Sequence, residues 1–189
     1  MKNYRRRSLL AIVLVSCSAA VLGRFPQHAS TEPVTVFFVR HAEKNSSDPT
    51  DHDPSLTADG ERRAQVLAKL LSKTGASHLY SSPLRRTRST LAPLAKLLGL
   101  EVEAIPPQEQ ARQVEELRLL PPGSVAVVAG HSNTVPAMVA ALGGAITDLT
   151  DHPRFGKLLG DDEYDRLFIV TLPKLDGAPV QTIELRYGD

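Results

Sequence analysis

The chain has 189 residues, of which 42% are hydrophobic and 23% are charged, and its formal net charge is +1. This length suits a single domain with a substantial core, and the hydrophobic content excludes a fully disordered chain. The near balance of charges argues against a broad nucleic-acid-binding surface, which needs a clear excess of basic residues. A small basic pocket needs only a few side chains and is compatible with this balance.

The first 22 residues have the pattern of an export signal. A positive block of Lys2 and residues 5–7 precedes an apolar run from Leu9 to Leu22, and this order is typical of signal peptides. The run is too short, and too often interrupted by small polar residues, for a typical transmembrane helix. An uncleaved membrane anchor and a buried first helix are the alternatives. We therefore predict an exported protein, periplasmic or attached to the cell envelope.

Cys17 is the only cysteine of the chain and lies within this leader. The rest of the chain therefore has no intramolecular disulfide and no catalytic cysteine. The segment Leu14–Cys17 resembles a bacterial lipobox, in which the cysteine is lipidated and tethers the protein to a membrane. Cleavage near Ala19, with Cys17 discarded, is the alternative. Residues 23–33 are predicted to form a tether before a domain that spans residues 34–189.

Apolar strands alternate with amphipathic helices along this domain. The predicted strands are Val34–Val39, His78–Ser81, Val102–Ile105, Val125–Ala129, Leu167–Leu172 and Gln181–Arg186. The predicted helices are Leu56–Thr74, residues 83–98, Glu109–Leu120 and residues 134–142, and residues 151–165 are expected to be mostly irregular. This alternation predicts an α/β fold, a three-layer α/β/α sandwich with a mostly parallel, mixed central sheet.

Three of the predicted strands are followed at once by residues that suit an anion pocket. His41 follows the first strand, His131 follows the strand Val125–Ala129, and the arginine-containing segment Ser82–Thr87 follows the second strand. Ligands of open α/β sheets bind beyond the carboxyl ends of the strands, so these side chains are expected at one edge. The guanidinium group binds two phosphate oxygens at once. The pattern therefore favours a phosphate site.

Four segments in this order resemble the motifs of the histidine phosphatase superfamily, also called phosphoglycerate mutase-like. They are Arg40–Glu43, Leu56–Gly60, Ser82–Thr87 and Gly130–Thr134. One such motif is weak evidence, but four in order are specific. The resemblance extends from about Val34 to Tyr187, and the short chain is similar to the small, phosphohistidine-phosphatase-like branch.

The resemblance implies a role for each matched residue. His41 is expected to be the nucleophile that forms a phosphohistidine, with Arg40, Arg86 and His131 binding the phosphoryl oxygens. It implies no metal and no other cofactor, because the arginines and His131 supply the positive charge. Ala42 departs from the pattern, since the family more often has glycine there.

The general acid is the least defined part of the resemblance. Many members protonate the leaving group with a carboxyl group from a middle segment, and here Glu109, which follows two prolines, is the candidate. A solvated helix face is the alternative for this glutamate. Some small members lack the acid and act on phosphoramidates, whose nitrogen leaving group needs less help.

These residues predict a metal-independent phosphatase that transfers a phosphoryl group from a small substrate to His41 and then to water. The substrate is a phosphoric monoester or a phosphoramidate. A phosphomutase of the same superfamily is the first alternative, although an exported protein does not meet glycolytic intermediates. The second is a catalytically silent envelope module that binds a phosphate ligand, which the presence of both histidines and both arginines disfavours.

Overall fold

The structure, a computed structural model, describes residues 30–188. The predicted leader over residues 1–22, Cys17 and most of the predicted tether lie outside the described residues. Residues 30–33 are exposed and have no regular secondary structure. Within the described part, no helix is both long enough and apolar enough to span a membrane.

Eight strands and four α-helices make up the described residues. The strands are β1 Val34–Arg40, β2 His78–Ser81, β3 Val102–Ala104, β4 Val125–Gly130, β5 Thr150–His152, β6 Gly156–Leu158, β7 Arg166–Leu172 and β8 Gln181–Arg186. The helices are α1 Ala58–Leu71, α2 Arg85–Leu98, α3 Gln110–Leu119 and α4 Thr134–Ala141, and a short 3-10 helix, Pro107–Glu109, precedes α3.

Six of the strands form a central sheet in the order β3-β2-β4-β1-β7-β8. The first four of these run parallel to one another. Strand β7 pairs antiparallel with β1, and β8 pairs antiparallel with β7. The prediction of a mostly parallel, mixed sheet is therefore confirmed.

Helices cover both faces of this sheet, as the alternating side chains of β1 show. Val36 and Phe38 pack into a core cluster with residues of α3 and α4, such as Leu117. Phe37 packs into a second cluster on the opposite face, with residues of α1 and α2. Successive side chains of a strand point to opposite faces, so an uninterrupted apolar strand needs a helix layer on each side. The three-layer sandwich is confirmed.

Two elements differ from the sequence prediction. Helix α1 begins at Ala58 and not at Leu56, because the Thr57 hydroxyl accepts a hydrogen bond from the Gly60 amide and caps the first turn. The stretch 151–165, predicted to be mostly irregular, contributes to an antiparallel hairpin of β5 and β6. These strands have three residues each and are polar, so no alternation of apolar residues marks them in the sequence.

The parallel strands bring the predicted site residues to one edge of the sheet. Arg40 at the end of β1 pairs with Gly130 at the end of β4, and Ser81 at the end of β2 pairs with Ala129. A Cβ atom at Gly130 would lie 2.8 Å from the Thr134 hydroxyl oxygen. Glycine at this position therefore lets α4 start directly against the strand end.

Candidate active site

The side chains of Arg40, His41, Arg86 and His131 line one cavity of about 390 Å³ at this edge. Arg40 and His41 lie at the end of β1, His131 follows β4, and Arg86 lies in the helix after β2, so the parallel arrangement of these strands brings them together. Lys44, Leu84, Pro107 and residues 132–134 complete the lining. The sequence prediction that these four residues share one site is thus matched by their positions.

His41 is held as a neutral imidazole with a defined proton. Its Nδ1 lies 2.8 Å from the carbonyl oxygen of Ala42, and a carbonyl only accepts, so Nδ1 carries the proton. The lone pair of the neutral ring is consequently on Nε2. Burial, together with His131, Arg40 and Arg86, lowers the pKa of His41 to about 3 against the opposing bond to Ala42. At neutral pH Nε2 is therefore unprotonated and its lone pair is available.

Arg40 is oriented by backbone groups and by an aromatic ring. Its Nη1 donates to the carbonyl oxygens of Gly160, at 2.7 Å, and Asp161, at 2.9 Å. Its guanidinium carbon lies 4.2 Å from the centre of the Tyr164 ring. The guanidinium plane is therefore fixed on one side, and the other donors are left for a ligand.

Two buried donors at the site have no hydrogen-bond partner. Among the described residues, the only buried side-chain polar atoms without one are Nε of Arg40, Nε of Arg86 and the hydroxyl of Tyr187. An unpaired buried donor is unfavourable by about 1–3 kcal/mol. That two such donors belong to the arginines of one cavity indicates a site suited to an oxyanion.

Arg86 lies in the first turn of α2, whose start is supported from a distant loop. The residue that precedes the helix, Leu84, offers no capping side chain, and the carboxylate of Asp53 accepts from the Arg85 amide at 2.8 Å instead. Burial lowers the pKa of Arg86, and the charge of Asp53 opposes this effect. Asp53 therefore fixes the helix that carries Arg86.

His131 is the second imidazole of the site. Its ring centre lies 5.5 Å from that of His41, and its Nε2 lies 3.0 Å from the hydroxyl oxygen of Ser82. Burial lowers the pKa of His131 to about 4, and Arg86 and Arg40 lower it further. Both histidines are thus neutral at neutral pH, and both lie beside arginines.

Comparison with known proteins agrees with this arrangement. Residues 36–107, which contain Arg40, His41 and Arg86, match the model of the histidine phosphatase superfamily (branch 1). The segment from β1 to the start of the 3-10 helix thus resembles this superfamily. His131 lies beyond the matched segment and joins the site through the fold.

Curated relatives resemble this chain over a limited segment. A probable phosphoglycerate mutase of Serratia proteamaculans is 38% identical over 71 residues, 35% of this chain and 33% of the relative. Phosphoserine phosphatase 1 of Hydrogenobacter thermophilus is 37% identical over 73 residues, 36% of this chain and 35% of the relative. The chain thus matches about a third of the length of these two proteins.

Solved structures resemble the domain over most of its length. The protein histidine phosphatase SixA complexed with tungstate has a TM-score of 0.59 and 21% identity, covering 80% of this chain and 96% of that one. The structure called mycobacterial hydrolase 1 also has a TM-score of 0.59, with 14% identity, covering 83% of this chain and 99% of that one. At these identities the likeness is one of fold.

Glu109, the candidate general acid, does not line the cavity. Its carboxylate accepts from Arg112 at 2.6 Å and is about 43% exposed, and Pro107 is the residue of that segment at the cavity. The arginine one turn along the helix holds the carboxylate away from the site. The role of Glu109 as the acid therefore stays a prediction that this geometry does not favour.

The residues that flank the nucleophile have separate partners. Glu43 does not pair with Lys44, because its carboxylate is bound by Arg63 of α1 at 2.7 Å. Lys44 lies at the cavity rim, where its amine donates to the Ser46 hydroxyl. One positive charge at the rim is thus available to a substrate.

Tyr164 is a site residue that sequence reasoning missed. Its ring packs on Arg40, as described above, and its centre lies 6.0 Å from that of His41. The residue lies in the segment between β6 and β7, where no periodic pattern distinguishes an aromatic side chain at a site from one on the surface. No signal in the single sequence could have identified it.

The segment that carries Tyr164 is anchored by the buried residue Arg166. This guanidinium, 1% exposed, donates to both carboxylate oxygens of Glu184 at 2.8 Å and to Glu163 at 3.1 Å. The same oxygen of Glu163 also accepts from the Gly160 amide at 2.8 Å. Because the Gly160 carbonyl binds Arg40, Glu163 links the buried anchor to the site.

Proposed function

We propose that this protein is a metal-independent phosphatase that transfers a phosphoryl group to Nε2 of His41 and then to water. The observation that supports this most directly is the buried, neutral His41, whose proton is held on Nδ1 by the Ala42 carbonyl. Two arginines beside it supply the positive charge that phosphoryl transfer requires.

The reaction follows from these positions. The Nε2 lone pair attacks phosphorus, the bond to the leaving oxygen or nitrogen breaks, and the leaving atom takes up a proton. Arg40 and Arg86 stabilise the charge on the non-bridging oxygens. Water then attacks the phosphohistidine, the phosphorus–nitrogen bond breaks, and the neutral imidazole is restored.

A neighbouring cleft is suited to the leaving group. Its volume is about 480 Å³, and it shares Ser132 and Asn133 with the phosphate cavity. Asp151 and Asp161 line it, together with apolar residues, and the carboxylate of Asp151 is paired with Lys157. The carboxylate of Asp161 disfavours a leaving group that is itself a carboxylate. This supports substrates whose non-phosphate part is neutral or amine-bearing, and it disfavours a phosphoglycerate mutase.

Hydrolysis of para-nitrophenyl phosphate by the purified full chain, with EDTA present, tests the proposal. We expect turnover that is lost in His41→Ala and kept in His78→Ala, a histidine at the start of β2 far from the cavity. Quenched reactions with labelled substrate should contain an acid-labile, alkali-stable phosphoprotein only when His41 is present. A folded protein that hydrolyses neither this ester nor phosphoramidate, and that forms no phosphoprotein, would indicate a silent phosphate-binding module.

The leader pattern of residues 1–22 supports export of this phosphatase, and the lipobox-like segment supports a membrane tether at Cys17. Fractionation of cells expressing the full chain and Cys17→Ala tests both points. A lipid-anchored protein should leave the membrane fraction in the variant. A protein that stays in the cytoplasm would contradict export.

A further inference from the structure

Two buried hydroxyl groups lie behind His131, one of Ser82 directly after β2 and one of Thr87 in the first turn of α2. The hydroxyl oxygen of Ser82 is 3.0 Å from Nε2 of His131 and 2.7 Å from the hydroxyl oxygen of Thr87. Ser82 is 5% exposed, and Thr87 is fully buried. Neither side chain is needed for the proposed chemistry, so their alignment with the imidazole requires another explanation.

The direction of each hydrogen bond in this series of hydroxyl groups follows from the partners of Thr87. The Thr87 hydroxyl lies 3.0 Å from the carbonyl oxygen of Ser82 and 2.8 Å from that of Leu84. Carbonyl oxygens only accept, so the single proton of Thr87 points to them. Thr87 must then accept from the Ser82 hydroxyl, whose own proton is used in that bond.

The Ser82 oxygen is consequently left as an acceptor. It accepts from the Leu84 amide at 3.4 Å, and the remaining contact, with Nε2 of His131, requires a proton on the imidazole nitrogen. The neutral ring of His131 therefore carries its proton on Nε2 and a lone pair on Nδ1. Within the described residues Nδ1 has no partner, so it is the nitrogen left for a ligand.

A lone pair on Nδ1 cannot donate to a phosphate oxygen. Arg40 and His41 from the end of β1, Lys44 from the segment after it and Arg86 from α2 are the titratable groups around this ring, and the nearby side chains of the 3-10 helix and α3, Pro107, Gln110 and Gln113, are uncharged. Burial and the two arginines keep the free ring neutral. A bound dianion offsets their charge and favours a proton on Nδ1.

We propose that the Ser82–Thr87 hydroxyl pair fixes His131 as the Nε2–H tautomer, so that binding of a phosphate-type dianion is coupled to uptake of a proton at Nδ1. The proton comes from solvent, and the resulting imidazolium donates from Nδ1 to the anion and from Nε2 to Ser82. Ser82 and Thr87 are thus positioning residues. This inference rests on the phosphate site of the proposed function.

Calorimetric titration of the full chain with sulfate tests this coupling, because sulfate stays a dianion at weakly acidic and neutral pH. Titrations in two buffers of different ionisation enthalpy count the protons taken up. We expect uptake of about one proton per sulfate, and binding that weakens about tenfold per pH unit as the pH rises from the pKa of His131 in the free protein to its pKa in the sulfate complex.

Thr87→Val is the informative variant, with Thr87→Ser as its matched control. Without an acceptor at residue 87, the Ser82 proton turns to Nε2 of His131, and the ring proton moves to Nδ1. Proton uptake should fall toward zero in Thr87→Val and stay at the wild-type value in Thr87→Ser. Full uptake in a folded Thr87→Val protein would overturn the inference.

The nitrogen chemical shifts of His131 in the wild-type protein give a test that needs no variant. They should show a protonated Nε2 and an unprotonated Nδ1 without sulfate, and two protonated nitrogens with it. If the protein hydrolyses the ester but takes up no proton with sulfate, or if His131 has the opposite tautomer, only this inference is contradicted. Absence of both turnover and sulfate binding removes the proposed function as well.

Discussion

At the scale of single residues, the site depends on which nitrogen of each histidine carries a proton. His41 donates from Nδ1 to a backbone carbonyl and keeps Nε2 free, whereas His131 donates from Nε2 to Ser82 and keeps Nδ1 free. Under the proposed function, this pair of imidazoles in one cavity has two different roles, a nucleophile and an oxyanion ligand. The hydrogen-bond partner, and not the residue type, makes the difference.

The depressed pKa values of both histidines predict an acid-sensitive fold. Below the ordinary histidine pKa of 6.5 the unfolded chain binds protons that the folded chain excludes until about pH 4 or lower. The free energy of unfolding should therefore fall as the pH falls through this window, by up to about 1.4 kcal/mol per pH unit for each histidine. Urea unfolding across the window measures the slope.

The variant His41→Asn should reduce this slope, since asparagine does not titrate. His52→Asn, an exposed loop histidine, should leave the slope unchanged. Equal slopes in all three proteins would contradict a buried neutral His41.

At the scale of elements, one loop carboxylate both stabilises the start of α2 and acts on the charge of an arginine in that helix. Asp53 caps the helix from 32 positions earlier in the chain, and its charge acts on Arg86. Substitution of Asp53 by asparagine separates the two effects, because asparagine retains a capping oxygen but has no charge.

We expect Asp53→Ala to lower the free energy of unfolding by about 1 kcal/mol, the usual contribution of a cap. Asp53→Asn should keep that stability and lower the KM for para-nitrophenyl phosphate about two- to threefold, because a negative charge near the phosphate is removed. Asp176→Ala, in the exposed turn between β7 and β8, should change neither quantity. A higher KM in Asp53→Asn would mean that the charge positions Arg86.

The buried guanidinium of Arg166 is bound by a matched pair of carboxylates, one in the segment before β7 and one in β8. Glu163 and Glu184 both bind Arg166, but only Glu163 also binds the Gly160 amide. Glu163→Ala and Glu184→Ala should each destabilise the protein by about 1–3 kcal/mol, because the buried guanidinium loses a partner.

Only Glu163→Ala should also lower kcat/KM, by about tenfold, since Arg40 depends on the Gly160 carbonyl for its orientation. Steady-state kinetics on both variants, at a temperature where each is folded, measure the difference. An equal loss of kcat/KM in the two variants would assign the effect to general loosening around Arg166.

At the scale of the whole molecule, substrate choice depends on the two cavities that meet at Ser132 and Asn133. The phosphate cavity is cationic and is built from strand ends, whereas the adjoining cleft contains aspartates from the β5–β6 hairpin and from the segment after it. Lys157 pairs with Asp151 of the hairpin, so Asp161 supplies the negative charge of the cleft, and charge changes sign between the two halves of the site.

This change of sign predicts a preference between glycerol 3-phosphate and 3-phosphoglycerate, which differ in an alcohol and a carboxylate. We expect kcat/KM to favour the former about fivefold, as one partly screened repulsion implies. Asp161→Asn should bring the ratio of the two kcat/KM values closer to one. Asp162→Asn, at a neighbouring residue outside the cleft lining, should leave this ratio unchanged. A preference for the carboxylate would place the leaving group elsewhere, such as beside Lys44.

The layers of the fold and the four residues at their edge could be predicted from the amino-acid sequence. Apolar strands such as Val34–Val39 must be covered on both faces, and the ends of parallel strands meet, so His41 and His131 had to approach each other. The contacts between residues distant in the chain are seen only in the tertiary structure. Asp53 reaches α2, and Tyr164 packs on Arg40, while Glu109 is drawn to a local arginine. Several partners of similar energy are open to such side chains, and the packing of the folded chain determines which partner lies within reach.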